Sequence, residues 1–215
     1  MTPALQSHAT LALCRLAPVI PVLVIEDARK AAPLAQALVA GGLPVLEVTL
    51  RTGAAIEAIA EMAKVPGARV GAGTVLSAHD AARARAAGAT FAVSPGATPA
   101  LVSACVAQGL PLLPGAATAS EVMTLLEYGY RTLKFFPAEA AGGVSYLEAL
   151  RGPLPQASFC PTGGITETTA PDWLNLQNVA CVGGSWVAPG SMVRASDWDG
   201  ITSLARAASR LAREA

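Results

Sequence analysis

Short runs rich in Val, Leu, Ile and Phe recur along the chain, each followed by turn residues and then an Ala- and Leu-rich stretch with helical spacing. Eight such runs begin near Ile20, Pro44, Arg69, Phe91, Leu110, Thr132, Ser158 and Val179. The intervals leave room for a strand, a helix and two short loops, the βα unit of a parallel sheet. Near-continuous apolar strands suit burial on both faces. Ser77 with Asp80, Thr98, Thr118 and Thr166 stand where helices should start, and Gly42, Gly88, Gly109 and Gly129 where four should stop. Eight units predict an α/β fold, a closed (β/α)8 TIM barrel made by one domain over 1–215, with an extra N-terminal helix at 4–16. An open doubly wound sheet is the alternative. The last helix is expected from about Ile201 to Arg213, with Ile201, Leu204, Ala208 and Leu211 on one face and Arg206, Arg210 and Arg213 on a solvated one.

Composition narrows the class. The 215 residues are 53% hydrophobic and 14% charged, with 15 basic against 15 acidic side chains, which excludes disorder and leaves no electrostatic footprint for nucleic acid. The apolar run from Leu16 to Ile25 is far short of the roughly 20 residues that span a membrane. Met1 to Arg15 has no basic n-region and is interrupted by Gln6, Ser7 and His8, so a cytoplasmic location is expected. Cys14, Cys105, Cys160 and Cys181 form no CxxC pair and read as buried free thiols. His8 and His79 are the two histidines, poor material for a metal site or a Ser-His-Asp triad. Neither a metal nor an organic cofactor is expected.

In such a barrel, polar residues late in a strand face the active-site mouth. Glu47, Thr49 and Arg51 alternate with Val48 and Leu50 and so share one strand face. They read either as an acid and a cation at the mouth or as a Glu–Arg pair plugging the interior. Lys134 is the one charge in the apolar segment 132–138. A desolvated lysine can present a neutral amine to a carbonyl and form a Schiff base; a structural pairing with Glu47 is the other reading, and the two are compatible. Gly71-Ala72-Gly73-Thr74 begins like a dinucleotide fingerprint, but Leu76 occupies the third glycine position. The glycines then serve close packing, with Thr74 left as a hydrogen-bonding group. Thr162-Gly163-Gly164 and Gly183-Gly184-Ser185 end the last two strands, where loops of this fold recurrently hold phosphate.

The segments Glu47-Val48-Thr49-Leu50-Arg51, Gly71 to Leu76, Ser94-Pro95-Gly96, Lys134 to Glu139, Pro161 to Ile165 and Gly183 to Trp186 resemble the 2-keto-3-deoxy-6-phosphogluconate (KDPG) and 4-hydroxy-2-oxoglutarate aldolases, bacterial class I enzymes of the Entner–Doudoroff pathway. The resemblance implies that Lys134 forms the Schiff base and Glu47 is the general acid/base. It implies that Arg51 and Thr74 hold the pyruvate carboxylate, that Thr162 senses the stereochemistry of the aldehyde carbon, and that Gly163, Gly164, Gly184 and Ser185 bind phosphate. It further implies a homotrimer whose small-molecule partners are a phosphorylated keto acid and pyruvate. Ala141 and the stretch Gly115-Ala116-Ala117-Thr118 depart from the family's more usual residues. Thr162 and Arg51 argue against a sister aldolase for the galactonate-derived sugar acid, and a non-catalytic phosphosugar-binding barrel would have no need of Lys134.

Overall fold

The computed structural model describes residues 1–211. Its strands are β1 (Val19–Leu23), β2 (Val45–Thr49), β3 (Arg69–Gly73), β4 (Phe91–Val93), β5 (Leu112–Leu113), β6 (Gly115–Ala116), β7 (Thr132–Phe135), β8 (Ser158–Pro161) and β9 (Val182–Gly184). Between and around them run α1 (Pro3–Cys14), α2 (Ala31–Ala40), α3 (Ala55–Met62), α4 (Ala78–Ala86), α5 (Pro99–Gln108), α6 (Ala119–Tyr128), α7 (Gly143–Arg151), α8 (Ala170–Leu174), α9 (Gly190–Ala195) and α10 (Trp198–Ser209). The α/β alternation is as expected. No helix among the described residues is long and apolar enough to cross a membrane.

The closed eight-stranded TIM barrel is not what forms. The strands make a curled six-stranded parallel sheet, ordered β5-β4-β3-β2-β1-β9, and a separate three-stranded sheet, β6-β7-β8. The run expected as one strand from Leu110 is divided by Pro114, which has no N–H to give to a ladder. Leu112–Leu113 pairs with β4, and Gly115–Ala116 pairs with β7. The other seam, where β8 faces the chain leading into β9, carries only the isolated bridges Phe159↔Val179 and Thr162↔Gly183. Between those bridges one chain advances three residues and the other four, so no continuous ladder can form.

Helix punctuation follows the side chains. Ser77, Thr98 and Thr118 accept the N–H three residues on, and Thr118 completes a capping box with Glu121. Backbone donors from Ala117 and Thr118 hold the Glu121 carboxyl below the usual carboxylate range. Thr166 accepts from Thr169 one turn ahead of the short α8. Gly109 and Gly129 end α5 and α6 in the left-handed conformation. On α10, Ile201, Ala205 and Ala208 are the buried positions, so Ala205 takes the place expected for Leu204; the helix ends at Ser209, capped by Arg210, short of the expected end, and Arg213 itself lies outside the described residues.

Two cores result. The larger lies between the sheets and the helices and includes Leu38, Ile59, Tyr130 and Trp173. The smaller fills the interior enclosed by the strands: Ile20, Val45, Phe91, Val93 and Leu113, together with Cys14, Cys160 and Cys181. Helix α1 covers one end of that interior with polar residues, and its buried positions are Gln6, Ser7, Thr10 and Cys14. Gln6 Oε1 accepts from Leu112 N at 3.3 Å and from the Tyr130 hydroxyl at 2.6 Å. Ser7 Oγ accepts from Arg131 N and Thr132 N, both at 2.8 Å. These amides stand at or just ahead of the starts of β5 and β7, where no neighbouring strand satisfies them, and buried donors left alone are costly.

Ser7→Ala should therefore destabilise the fold by about 1–3 kcal/mol, the penalty for orphaning buried donors, read as a lower urea midpoint. An unchanged midpoint would mean that other acceptors replace the serine.

Candidate active site

Strand β2 is buried along its whole length, and its inward positions carry the polar groups. Glu47 and Lys134 are 3% and 5% exposed. Lys134 Nζ donates to Glu47 Oε1 at 3.1 Å and stands 5.3 Å from the centre of the Phe136 ring. Of the two readings of Lys134, the pairing with Glu47 is what the structure displays: the buried amine donates to that carboxylate. The alternative of a Glu47–Arg51 plug does not occur. Thr49 shares the strand face but spends its hydroxyl on Leu23 O at 2.9 Å. Arg51 lies just past the strand end, exposed, and its Nε donates to Thr74 Oγ1 at 3.3 Å.

Thr74 is one of two non-glycine residues with positive φ among the described residues, at 57°. That conformation costs a non-glycine residue on the order of 1–3 kcal/mol and is found where surrounding structure enforces it. Here it turns the Thr74 hydroxyl towards Arg51.

A cavity of about 220 Å³ brings together Arg51, Thr162, Gly163, Gly164, Gly184 and Ser185, with Phe136 and Gly183 in its wall. Six of the nine residues predicted from the sequence thus share one cavity. Thr74 is joined to it through Arg51. Lys134 and Glu47 do not line it; the Phe136 ring, 5.3 Å from Lys134 Nζ, stands in its wall. The glycines have different tasks. Gly163 and Gly164 have φ of 106° and 83°, and among the described residues their N–H groups have no acceptor, which leaves them open to an anion. A Cβ on Gly184 would strike the Trp186 ring, and one on Gly183 would strike the Thr162 hydroxyl.

The close packing expected of the Gly71–Gly73 glycines is present, and what Gly73 packs against, which the sequence did not name, is Glu47. A Cβ on Gly73 would collide with the Glu47 carboxylate, so the carboxylate rests directly on the Gly73 backbone. The visible signal was a glycine at an inward-facing position of the strand beside Glu47. Glu139, the other carboxylate near this strand end, is engaged elsewhere, accepting from Trp173 Nε1 at 3.2 Å. Among the described residues, no three His, Cys, Asp or Glu side chains are grouped so as to hold a metal ion.

A buried amine hydrogen-bonded to a carboxylate, near a cavity lined by a guanidinium, a threonine and open backbone N–H groups, is an arrangement able to support imine chemistry on an anionic carbonyl compound. Comparison with known proteins agrees. Residues 11–204 match the family model described as "Aldolase: KDPG and KHG aldolase", and the chain belongs to that family. It is 54% identical over 192 residues to the 2-dehydro-3-deoxy-phosphogluconate aldolase of Pseudoalteromonas atlantica, covering 89% of each chain. Among solved structures it resembles the 2-keto-3-deoxy-6-phosphogluconate aldolase of Zymomonas mobilis ZM4 with 3-phosphoglycerate (TM-score 0.90, 53% identity, 94% and 95% of the two chains). It also resembles the KDPG aldolase of Legionella pneumophila with pyruvate captured as a covalent carbinolamine intermediate (TM-score 0.90, 48% identity, 93% and 97% covered).

Gly73→Ala should lower stability by about 1–3 kcal/mol through overpacking against Glu47. Gly53, around which a Cβ would meet nothing within 4 Å, supplies the control, with Gly53→Ala staying within about 0.5 kcal/mol. Equal denaturation midpoints for the two variants would refute the tight seat for Glu47.

Proposed function

We propose that this chain is a class I aldolase that cleaves 2-keto-3-deoxy-6-phosphogluconate to pyruvate and glyceraldehyde 3-phosphate, with Lys134 as the imine-forming residue. The observation that carries the reading is the buried Lys134–Glu47 contact at 3.1 Å; membership of the aldolase family supports it. The Lys134 amine passes a proton to Glu47 and attacks the C2 ketone, and loss of water from the carbinolamine leaves an imine that draws electrons from C3. Glu47, directly or through a water, takes the C4 hydroxyl proton as the C3–C4 bond breaks. Glyceraldehyde 3-phosphate departs first. The remaining enamine is protonated at C3, and hydrolysis of the imine releases pyruvate and free Lys134.

Arg51, oriented by Thr74, offsets the carboxylate of the pyruvyl end; charge-assisted hydrogen bonds of this kind are the strong ones. Thr162, fixed against Gly183, stands where the aldehyde carbon's configuration is sensed. The N–H groups of Gly163 and Gly164, with Gly184 and Ser185, receive the phosphate. Cleavage of 4-hydroxy-2-oxoglutarate uses the same lysine and carboxylate and leaves the glycine loops unoccupied; the family description, which includes KHG aldolase, favours it as a second activity. A homotrimer, drawn from the family resemblance, working in the cytoplasm, as expected from the residues of 1–15, completes the reading.

Borohydride reduction in the presence of pyruvate should add a pyruvyl group to Lys134 alone. Labelling at Lys30 or Lys64 would sink the mechanism, since Lys64 is exposed and paired with Glu61, and Lys30 donates to backbone carbonyls of α9.

Glu47→Gln should slow exchange of the pyruvate methyl protons with deuterated water by roughly 10²–10⁴-fold, the usual contribution of a general acid/base, while imine trapping at Lys134 persists. Exchange within about threefold of wild type, far short of that range, would demote Glu47 to a structural partner of the lysine.

A further inference from the structure

Three of the four cysteines, far apart in sequence, meet in the interior. Cys14 ends α1, Cys160 lies on β8 beside Lys134 in the strand register, and Cys181 directly precedes β9. They are 1%, 3% and 0% exposed and belong to one packed cluster. The aldol reaction uses none of them. Hydrogen bonding from Cys14 and then Cys181, followed by the charge of Lys134 and the Thr162 hydroxyl, holds the Cys160 thiol well below the usual thiol range. The same contacts push Cys14, chiefly through Cys160, and Cys181, chiefly through Cys14, well above it. Lys134, the register neighbour of Cys160, is the charged group at the edge of this thiol cluster, an electropositive neighbour that favours thiolate on Cys160 over the other two.

The cluster is approached from both ends. Cys14 lines a cavity of about 320 Å³ near Arg15, Ala17 and Leu174. Thr162, whose Oγ1 is 4.0 Å from Cys160 Sγ, lines the candidate active-site cavity. Cys14 thus borders the first cavity directly, and Cys160 adjoins Thr162, a residue lining the second.

We propose that Cys160 and Cys14 are a peroxide-reactive pair that closes to a reversible disulfide joining β8 to α1. The Cys160 thiolate attacks one oxygen of hydrogen peroxide, the O–O bond breaks, and Cys160 becomes a sulfenic acid as hydroxide leaves. That hydroxide takes the Cys14 proton and becomes water. The Cys14 thiolate then attacks the Cys160 sulfur, the S–O bond breaks, and the second hydroxide leaves, neutralised by the proton that Cys160 had released on ionising. In sum, two thiols and one peroxide give one disulfide and two waters, the sulfurs losing two electrons to the peroxide oxygens. A thiol reductant restores both cysteines.

The test uses the full chain and does not depend on the reaction assigned to Lys134. The protein is exposed to stoichiometric hydrogen peroxide, quenched in acid, alkylated in denaturant, digested and mapped by mass spectrometry. A peptide linking Cys14 to Cys160, lost on treatment with dithiothreitol, is expected. Cys105 is the internal reference: burial pushes its thiol up to about 11, so Cys160 should be oxidised at least about tenfold faster. In Cys14→Ser, Cys160 should stop at a sulfenic acid that dimedone captures, and in Cys181→Ala the Cys14–Cys160 link should still form. Oxidation of Cys160 no faster than Cys105, a link from Cys160 to Cys181 in its place, or links only between separate chains would overturn the proposal. The wild-type map decides the pairing even where a variant fails to fold.

Discussion

The contact between Lys134 and Glu47 constrains everything around it. Two charges brought out of water lose several kcal/mol of solvation each, and mutual attraction recovers this only when geometry is good and the surroundings supply further partners. Here the surroundings are arranged for the purpose. Glu47 has its carboxylate on the Gly73 backbone because no side chain intervenes, and the Lys134 ammonium has the Phe136 ring 5.3 Å away. Packed hydrophobes in their place would fold as well or better, so the pair is explained by chemistry rather than by stability.

The placement of the cavity follows from the way the sheets fail to close. Between β8 and the chain entering β9, the bridges Phe159↔Val179 and Thr162↔Gly183 enclose unequal lengths of chain, and the ladder there is interrupted. Backbone groups that a continuous ladder would have consumed stay available, and the cavity lies at this seam, with Thr162 and Gly183 in its wall. The opposite seam, at Pro114, has another outcome: a Cβ on Gly115 would collide with the Pro95 carbonyl, so the gap is filled by tight backbone packing. One break in the ladder makes a site, and the other makes a joint.

Much of this was legible from the chain alone, for identifiable reasons. Each of the eight apolar runs does contain strand, because burial on both faces leaves an unbroken hydrophobic signal. Lys134 and Glu47 stood out because a charge in such a run needs a partner. The closed barrel was wrong because the count of units says nothing about hydrogen-bond continuity; Pro114 was visible in the sequence, but its effect depends on which neighbours Leu112 and Gly115 meet. The face of α1 was equally hidden. It buries Gln6 and exposes Leu5 at 60%, the reverse of what hydrophobic periodicity reports, because the groups it must satisfy are backbone amides. Reading the cysteines by spacing found no pair, since Cys14, Cys160 and Cys181 are brought together only by the folding of α1 under the strands.

The interior is thus graded along its length. At one end Gln6 and Ser7 supply neutral acceptors, Cys14, Cys160 and Cys181 pack among Ile20, Val45 and Phe91, and Lys134 faces Glu47 near the cavity. Cys160 belongs to two of these zones, since it packs with the thiols and pairs in register with Lys134. Lys134 therefore has Glu47 and Cys160 as neighbours on two different strands, and in a medium of low effective dielectric a charge on either acts on it more strongly than in water. The amine is thus set between two buried groups of different kind, a carboxylate on β2 and a thiol on β8. A change in the charge on that sulfur acts on the lysine beside it without a residue of the cavity moving, so the zone that looks inert in the fold is electrostatically coupled to the Lys134–Glu47 pair.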